Sequence, residues 1–208
     1  MASGVRDLGS EGSCVGFAVA AALECEIRGV SGREVTISPR YIYYYARIKG
    51  GFSTACDTGA HIRDAVQMLL HRGAVAEEAW PYRPGEFAAG PPEGLSRFPH
   101  YTIRKCYPVR TVEDLKTALW DLKPVVGGLC LFQSFYNEPV SRTGIIPLPD
   151  PDERVRGAAA VCFVGFNDPP GLLKFRPCWG PHWGDHGYGH IPYAYADRYL
   201  SDAWAIGM

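Results

Sequence analysis

Long apolar runs are missing from this chain. No stretch of its 208 residues approaches the roughly 20 apolar residues that cross a bilayer. The opening segment, Met1 to Gly12, is short and polar and lacks the apolar core of a secretory signal. Charge of one sign is missing too. Lys and Arg number 21 against 22 Asp and Glu, a net charge of −1 with both signs spread along the chain, so the basic footprint of a nucleic-acid binder is absent. Neither nucleic acid nor membrane is an expected partner. There is no Cys-x-x-Cys pair, and the cysteine count of seven is odd. These read as reduced thiols in a cytoplasmic protein, not as a disulfide framework. Internal repeats and low-complexity tracts are absent. Histidine is sparse, with six in all and none between Gly127 and Phe175.

What is present is an apolar, glycine- and proline-rich chain: 47% hydrophobic, with 24 Gly and 17 Pro. That suffices for one sizeable domain or two small lobes. The organising stretch is Gly12-Ser13-Cys14-Val15-Gly16-Phe17-Ala18, which opens a run of small and apolar residues reaching Arg28. A helix apolar nearly all round is a buried one. Ser13 is suited to cap it and Gly29 to stop it. Cys14 then sits in the first turn, where free N–H groups and the helix dipole favour a thiolate. Two readings stand at this point: a nucleophile, or one more buried small side chain.

Further along, Ser38-Pro39 before Arg40 to Ile48 reads as an N-cap with proline at the first helical position, ended by Gly50-Gly51. Ile62, Ala65, Val66, Leu69 and Leu70 recur at helical spacing up to Gly73. The Pro- and Gly-rich segment 80–99 keeps Trp80, Tyr82, Phe87 and Phe98, so it reads as a structured crossing. From Tyr101 the character changes. Tyr101 to Val109 reads as a strand. Thr111 to Asp114 looks like a capping box on a helix carrying Leu115, Ala118, Leu119 and Leu122. Short apolar runs follow at Val125–Phe132, Ala159–Phe166 and Leu172–Phe175, the pattern of antiparallel strands. A helical half precedes a β half, with a cleft between two lobes as the simplest arrangement. The tyrosines 41 and 43–45 read as a helix packed between lobes, and Asp57 and Asp64 as caps or ion-pair partners.

Three segments carry a family resemblance. Gly12-Ser13-Cys14-x-x-Phe17-Ala18 resembles the nucleophile helix of papain-like cysteine peptidases. Val161-Cys162-Phe163-Val164-Gly165-Phe166 resembles the strand after their catalytic histidine. Trp179-Gly180-Pro181-His182-Trp183-Gly184-Asp185-His186-Gly187-Tyr188 resembles their Trp-Gly-x-x-Trp-Gly-x-x-Gly-Tyr segment. Ser38-Pro39-Arg40 to Tyr45, Ile62 to Ala65 and Glu78-x-Trp80-Pro81-Tyr82 look like the short bacterial branch. The resemblance implies an α+β, papain-like two-lobe fold over residues 1–208. A helical L lobe fills about the first hundred residues and an antiparallel β-sheet R lobe the rest. Cys14 lies at the cleft floor.

It also implies partners for the thiol: a histidine to pair with it and protonate the leaving amine, an asparagine to orient that imidazole, and a glutamine donating to the oxyanion. This sequence departs from all three. The glutamine position is Leu8, the histidine position Ala159 and the asparagine position Pro177. Leucine donates no side-chain hydrogen bond, alanine accepts no proton, and proline has neither a side-chain amide nor an N–H. General-base work contributes about 10²–10⁴-fold and an oxyanion donor about 10²–10³-fold. Ordinary proteolysis is therefore not expected.

Two histidines are candidate replacements: His61, beside a cleft wall that includes Thr58 and Gly59, and His182, just beyond Trp179. Each also reads as a pocket or surface histidine without a catalytic task. Leu8, Thr58, Gly59, Ala159, Pro177, Cys178 and Trp179 are the expected ligand-facing residues. Cys178, beside the vacant asparagine position, reads either as a neighbour of Cys14 or as an unrelated thiol. Cys178, His182, His186 and His190 recur every four residues, but glycines and Pro181 interrupt the row, so no metal and no cofactor are expected. Three functions remain open. The cleft is repurposed for a small-molecule or carrier-bound acyl substrate, in a cyclisation or acyl transfer. Or it binds a peptide or protein partner without chemistry. Or it belongs to an active peptidase with unusual catalytic partners.

Overall fold

The computed structural model describes residues 4–208; the first three residues of the polar opening segment lie outside that range. Helix α1 (Cys14–Ser31) is buried along nearly all its length, as its unbroken apolar sequence requires. It runs on past Gly29 to Gly32, whose positive φ of 68° and N–H to the Arg28 carbonyl make the stop. Ser13 does not cap it. The hydroxyl instead pairs with the Tyr82 hydroxyl at 2.8 Å. Helix α2 (Pro39–Lys49) starts as its signals dictate, with Ser38 Oγ accepting from Tyr41 N. A Cβ on Gly16 would lie 2.5 Å from the Pro39 carbonyl oxygen, so glycine lets α1 and α2 approach. Helix α3 (Ile62–His71) completes the helical lobe.

The second lobe contains β1 (Lys105–Val109), α4 (Val112–Trp120), β2 (Val125–Phe132), α5 (Glu138–Thr143) and β3 (Val155–Asn167). It continues through β4 (Leu172–Arg176), β5 (Gly189–Pro192), α6 (Tyr193–Tyr199) and β6 (Leu200–Gly207). Helix α4 carries the capping box between Thr111 and Asp114. The strands form one antiparallel sheet in the order β1-β6-β2-β3-β4-β5. The strand expected from Tyr101 begins only at Lys105, because Tyr101 pairs with Ala74 of the other lobe.

Two hydrophobic cores sit on opposite faces of this sheet. Ala160 and Cys162 of β3 face the helical core with α1, while Val161 and Phe163 face the core closed by α4 and α6. That is the period-two alternation of a strand covered on both faces. Among the described residues no helix is long and apolar enough to cross a membrane.

Buried charges fasten the segment that leads into α1. Glu11 and Arg40, each 1% exposed, form a two-pronged ion pair at 2.7 and 2.8 Å. Arg40 also donates to the Arg83 carbonyl, and Glu11 accepts from Gly85 N. Glu24 of α1 accepts from Arg6 at 2.9 Å and meets Arg176 of β4 at 3.5 Å, so one carboxylate ties the entry segment and the sheet to the central helix.

Candidate functional site

Cys14 opens α1 at the floor of a cavity of about 540 Å³ between the lobes. The cavity gathers Cys14, Thr58, Gly59, His61 and Ala159, five of the expected site residues. Phe52, Asp57, Gly128 and Asp202 line it as well.

Among the described residues the sheet lobe offers the thiol one hydrogen-bonding group. Ala160 N donates to Cys14 Sγ at 3.5 Å. Burial pushes the Cys14 thiol up, and the Asp57 carboxylate adds to that; the amides of Ala160, Val15 and Cys14 itself pull the other way and do not prevail. The thiolate expected from the helix dipole is therefore outweighed by desolvation. No histidine among the described residues hydrogen-bonds the sulfur. His61 stands at the N-cap of α3 and packs against the Phe52 ring, 5.2 Å away. It lines the cavity without reaching the thiol. His182 is elsewhere: it lines a second cavity, on the sheet lobe, that shares no residue with this one. Its expected role opposite Cys14 is lost because the turn after Trp179 carries it away.

The remaining expected residues form a layer behind the cavity. Leu8 is held through its backbone, its N–H donating to the Cys178 carbonyl at 3.0 Å and its carbonyl accepting from the Tyr82 hydroxyl. Pro177 and Cys178 are buried. Burial, and after it the charge of Cys14, push the Cys178 thiol well up, and both cysteines are free. Trp179 belongs to an aromatic cluster with Phe135, at 4.9 Å, and Trp183, at 4.6 Å. None of these four residues lines the Cys14 cavity.

The cleft wall holds a latch that the sequence does not announce. Asp57 accepts from Gly12 N at 2.8 Å and from the Tyr43 hydroxyl, and that hydroxyl accepts from Gly59 N at 3.1 Å. Asp57 thus acts as the structural acceptor its context suggested. Tyr43 was legible only as one of a row of tyrosines. Two consequences follow. The loop before Cys14 is pinned to the facing wall. The Gly59 N–H, an obvious donor for an extended peptide, is already used inside the protein.

Chemically, the arrangement holds a half-buried thiol, raised in pKa by desolvation, that receives a backbone amide from the sheet lobe. Ala159 lines the cavity with no group able to accept a proton, which thiol catalysis needs.

The family model described as papain family cysteine protease matches residues 1–199. An uncharacterised peptidase C1-like protein of Acanthamoeba polyphaga mimivirus is 33% identical over 215 residues, spanning 96% of this chain and 68% of that protein. Cathepsin K of Gallus gallus is 28% identical over 196 residues, which cover 88% of this chain and 53% of the cathepsin. Among solved structures, xylellain, a cysteine protease from Xylella fastidiosa, superposes with a TM-score of 0.88 at 30% identity, covering 99% of this chain and 83% of that one. A cysteine protease of Carica candamarcensis gives 0.74 at 20% identity over 99% and 93% of the two chains, a likeness of fold alone.

Proposed function

Since the chain belongs to the papain family of cysteine proteases, we propose that it is a member whose interlobe cleft binds a ligand without hydrolysing peptide bonds. The observation that carries this reading is the environment of Cys14. Its sulfur meets the Ala160 amide, its thiol is pushed up by burial, and the opposing wall is built from Ala158, Ala159 and Ala160. The three expected catalytic partners are replaced by Leu8, Ala159 and Pro177, and among the described residues no histidine hydrogen-bonds the sulfur.

The occupant we assign is a small, largely apolar molecule or acyl group. Two features support it over a peptide. The Gly59 N–H is engaged by Tyr43, and the wall opposite is built from Ala158, Ala159 and Ala160. A cavity of about 540 Å³ suits a ligand of that size. Enzymatic use of Cys14 in acyl transfer is the second reading. It is favoured by the sulfur's place among the first N–H groups of α1, which act to lower its pKa. The likeness to xylellain supports placement near the bacterial members of the family. Seven thiols with none paired support a reducing, cytoplasmic setting.

The test compares hydrolysis of short fluorogenic peptides by the protein and its Cys14→Ala variant. The expected result is no difference between them. Ala159→His is the companion variant. It should raise the rate of Cys14 alkylation at neutral pH by at least about tenfold as an imidazole pairs with the thiol. Cys14-dependent peptide turnover by the unmodified protein would overturn the proposal.

A further inference from the structure

A cavity larger than the one at Cys14, about 850 Å³, opens on the sheet lobe. Its walls come from the loop after α5, the facing ends of β3 and β4, and the turn between Pro181 and His190. These walls are fixed to one another. Gly184 N donates to the Ser141 carbonyl and His190 N to the Gly144 carbonyl, both at 2.7 Å, and Ile146 N donates back to the His190 carbonyl at 2.9 Å. A Cβ on Gly144 would lie 2.4 Å from the Tyr188 carbonyl oxygen, so the two loops touch through backbone. At the tip, Asp185 and Tyr188 exchange N–H···O bonds of 2.9 and 3.0 Å around His186 and Gly187, at φ of 51° and 87°. Asparagine or glycine normally fills the first of these left-handed positions; here it is a histidine lining the cavity.

The lining gathers more basic than acidic side chains, in a chain that is otherwise balanced. Arg142, Lys174 and three of the six histidines, His182, His186 and His190, face a single carboxylate, Asp185. That carboxylate is already shared by Lys174, at 3.4 Å, and His190, at 3.2 Å. The His190 hydrogen bond and then Lys174 hold its carboxyl below the usual range. Among the described residues Arg142 has no ion-pair partner, and the rings of His182 and His186 make no hydrogen bond. Phe166, Leu172 and Pro181 supply apolar wall, and Ile145, 53% exposed, stands at the rim. The nitrogens do not converge: among the described residues no three His, Cys, Asp or Glu side chains form a metal-ligating group.

We propose that this cavity is a binding site for a small organic anion, with a phosphate or carboxylate head and an apolar body. The head is held by Arg142, with His182 and His186 beside it, because these donors lack partners and a guanidinium matches a two-oxygen acceptor. The body lies on Phe166 and Leu172. The volume falls in the range of small-molecule sites. The site is independent of any event at Cys14.

The test follows the six histidine ring protons of the full chain by NMR during titration with phenyl phosphate, benzoate and the neutral benzyl alcohol. The expected result is saturable shifts of His182, His186 and His190 with at least one anion below about 10 mM, while His61, His71 and His100 stay in place. The head group is the one that saturates at lower concentration. Arg142→Gln, on an exposed short helix, should weaken binding about tenfold through loss of a charge-assisted hydrogen bond. No saturable shift with either anion would overturn the proposal. So would equal shifts with benzyl alcohol, or unchanged affinity in Arg142→Gln.

Discussion

Ala160 of β3 donates its backbone N–H to the sulfur of Cys14 across 3.5 Å, so the two lobes meet at the thiol through an amide. An amide can hold a sulfur in place. It cannot take its proton.

The reactivity of that thiol should follow from its setting. Burial raises the Cys14 pKa from its ordinary value, which lowers the thiolate fraction at neutral pH. Alkylation by iodoacetamide should be slow at pH 7 and rise as pH increases, with a midpoint above that of an ordinary cysteine. Cys56, exposed and free, should be modified first and serves as an internal standard. Mass-spectrometric rates across pH check this. A Cys14 midpoint below that of Cys56 would show an activating group at work.

Removing one side of the Glu11–Arg40 pair should be costly. Both groups are 1% exposed, and Glu11→Ala leaves a buried guanidinium facing only the Arg83 carbonyl and the Tyr82 ring. The expected loss is about 3–5 kcal/mol. Glu11→Ala combined with Arg40→Met should recover part of it. Urea midpoints of the two variants decide; equal losses would mean the charge left behind is not what destabilises.

Tyr43→Phe should loosen the cleft wall. It removes a donor from Asp57 and frees the Gly59 N–H, at a cost of about 1–3 kcal/mol. Amide exchange at Gly59 should speed up while the centre of α1 keeps its protection. Unchanged exchange at Gly59 would show that the phenol does not hold the wall.

Legibility varied with how local the signals were. Helix α2 and the α4 capping box were readable because their determinants lie within a few residues of one another: Ser38-Pro39, and Thr111 with Asp114. Strand β2 was readable as an unbroken apolar run, buried on both faces. The end of α1 was not, since Gly29 and Gly32 are equivalent until the chain beyond turns back. Strands β5 and β6 were missed because Gly189–Pro192 is short and Leu200–Gly207 carries Ser201 and Asp202 at its start. At the site, the family resemblance placed Cys14, Thr58, Gly59, His61 and Ala159 together, and the cavity holds all five. It could not tell that Leu8, Pro177, Cys178 and Trp179 would form the layer behind, because that depends on which backbone groups they satisfy. The Asp57–Tyr43–Gly59 latch joins residues up to sixteen positions apart, and no spacing rule links them.

The position of β6 between β1 and β2 sets the order in which the molecule can be assembled. Emerging from a ribosome, both of its neighbours wait with open edges while more than sixty residues are added, since β2 ends at Phe132 and β6 starts at Leu200. Such edges invite mispairing. The helical lobe can be complete long before the sheet closes, so the wall carrying Ala159 and Ala160 takes up its final place against Cys14 only when the last strand has slotted in.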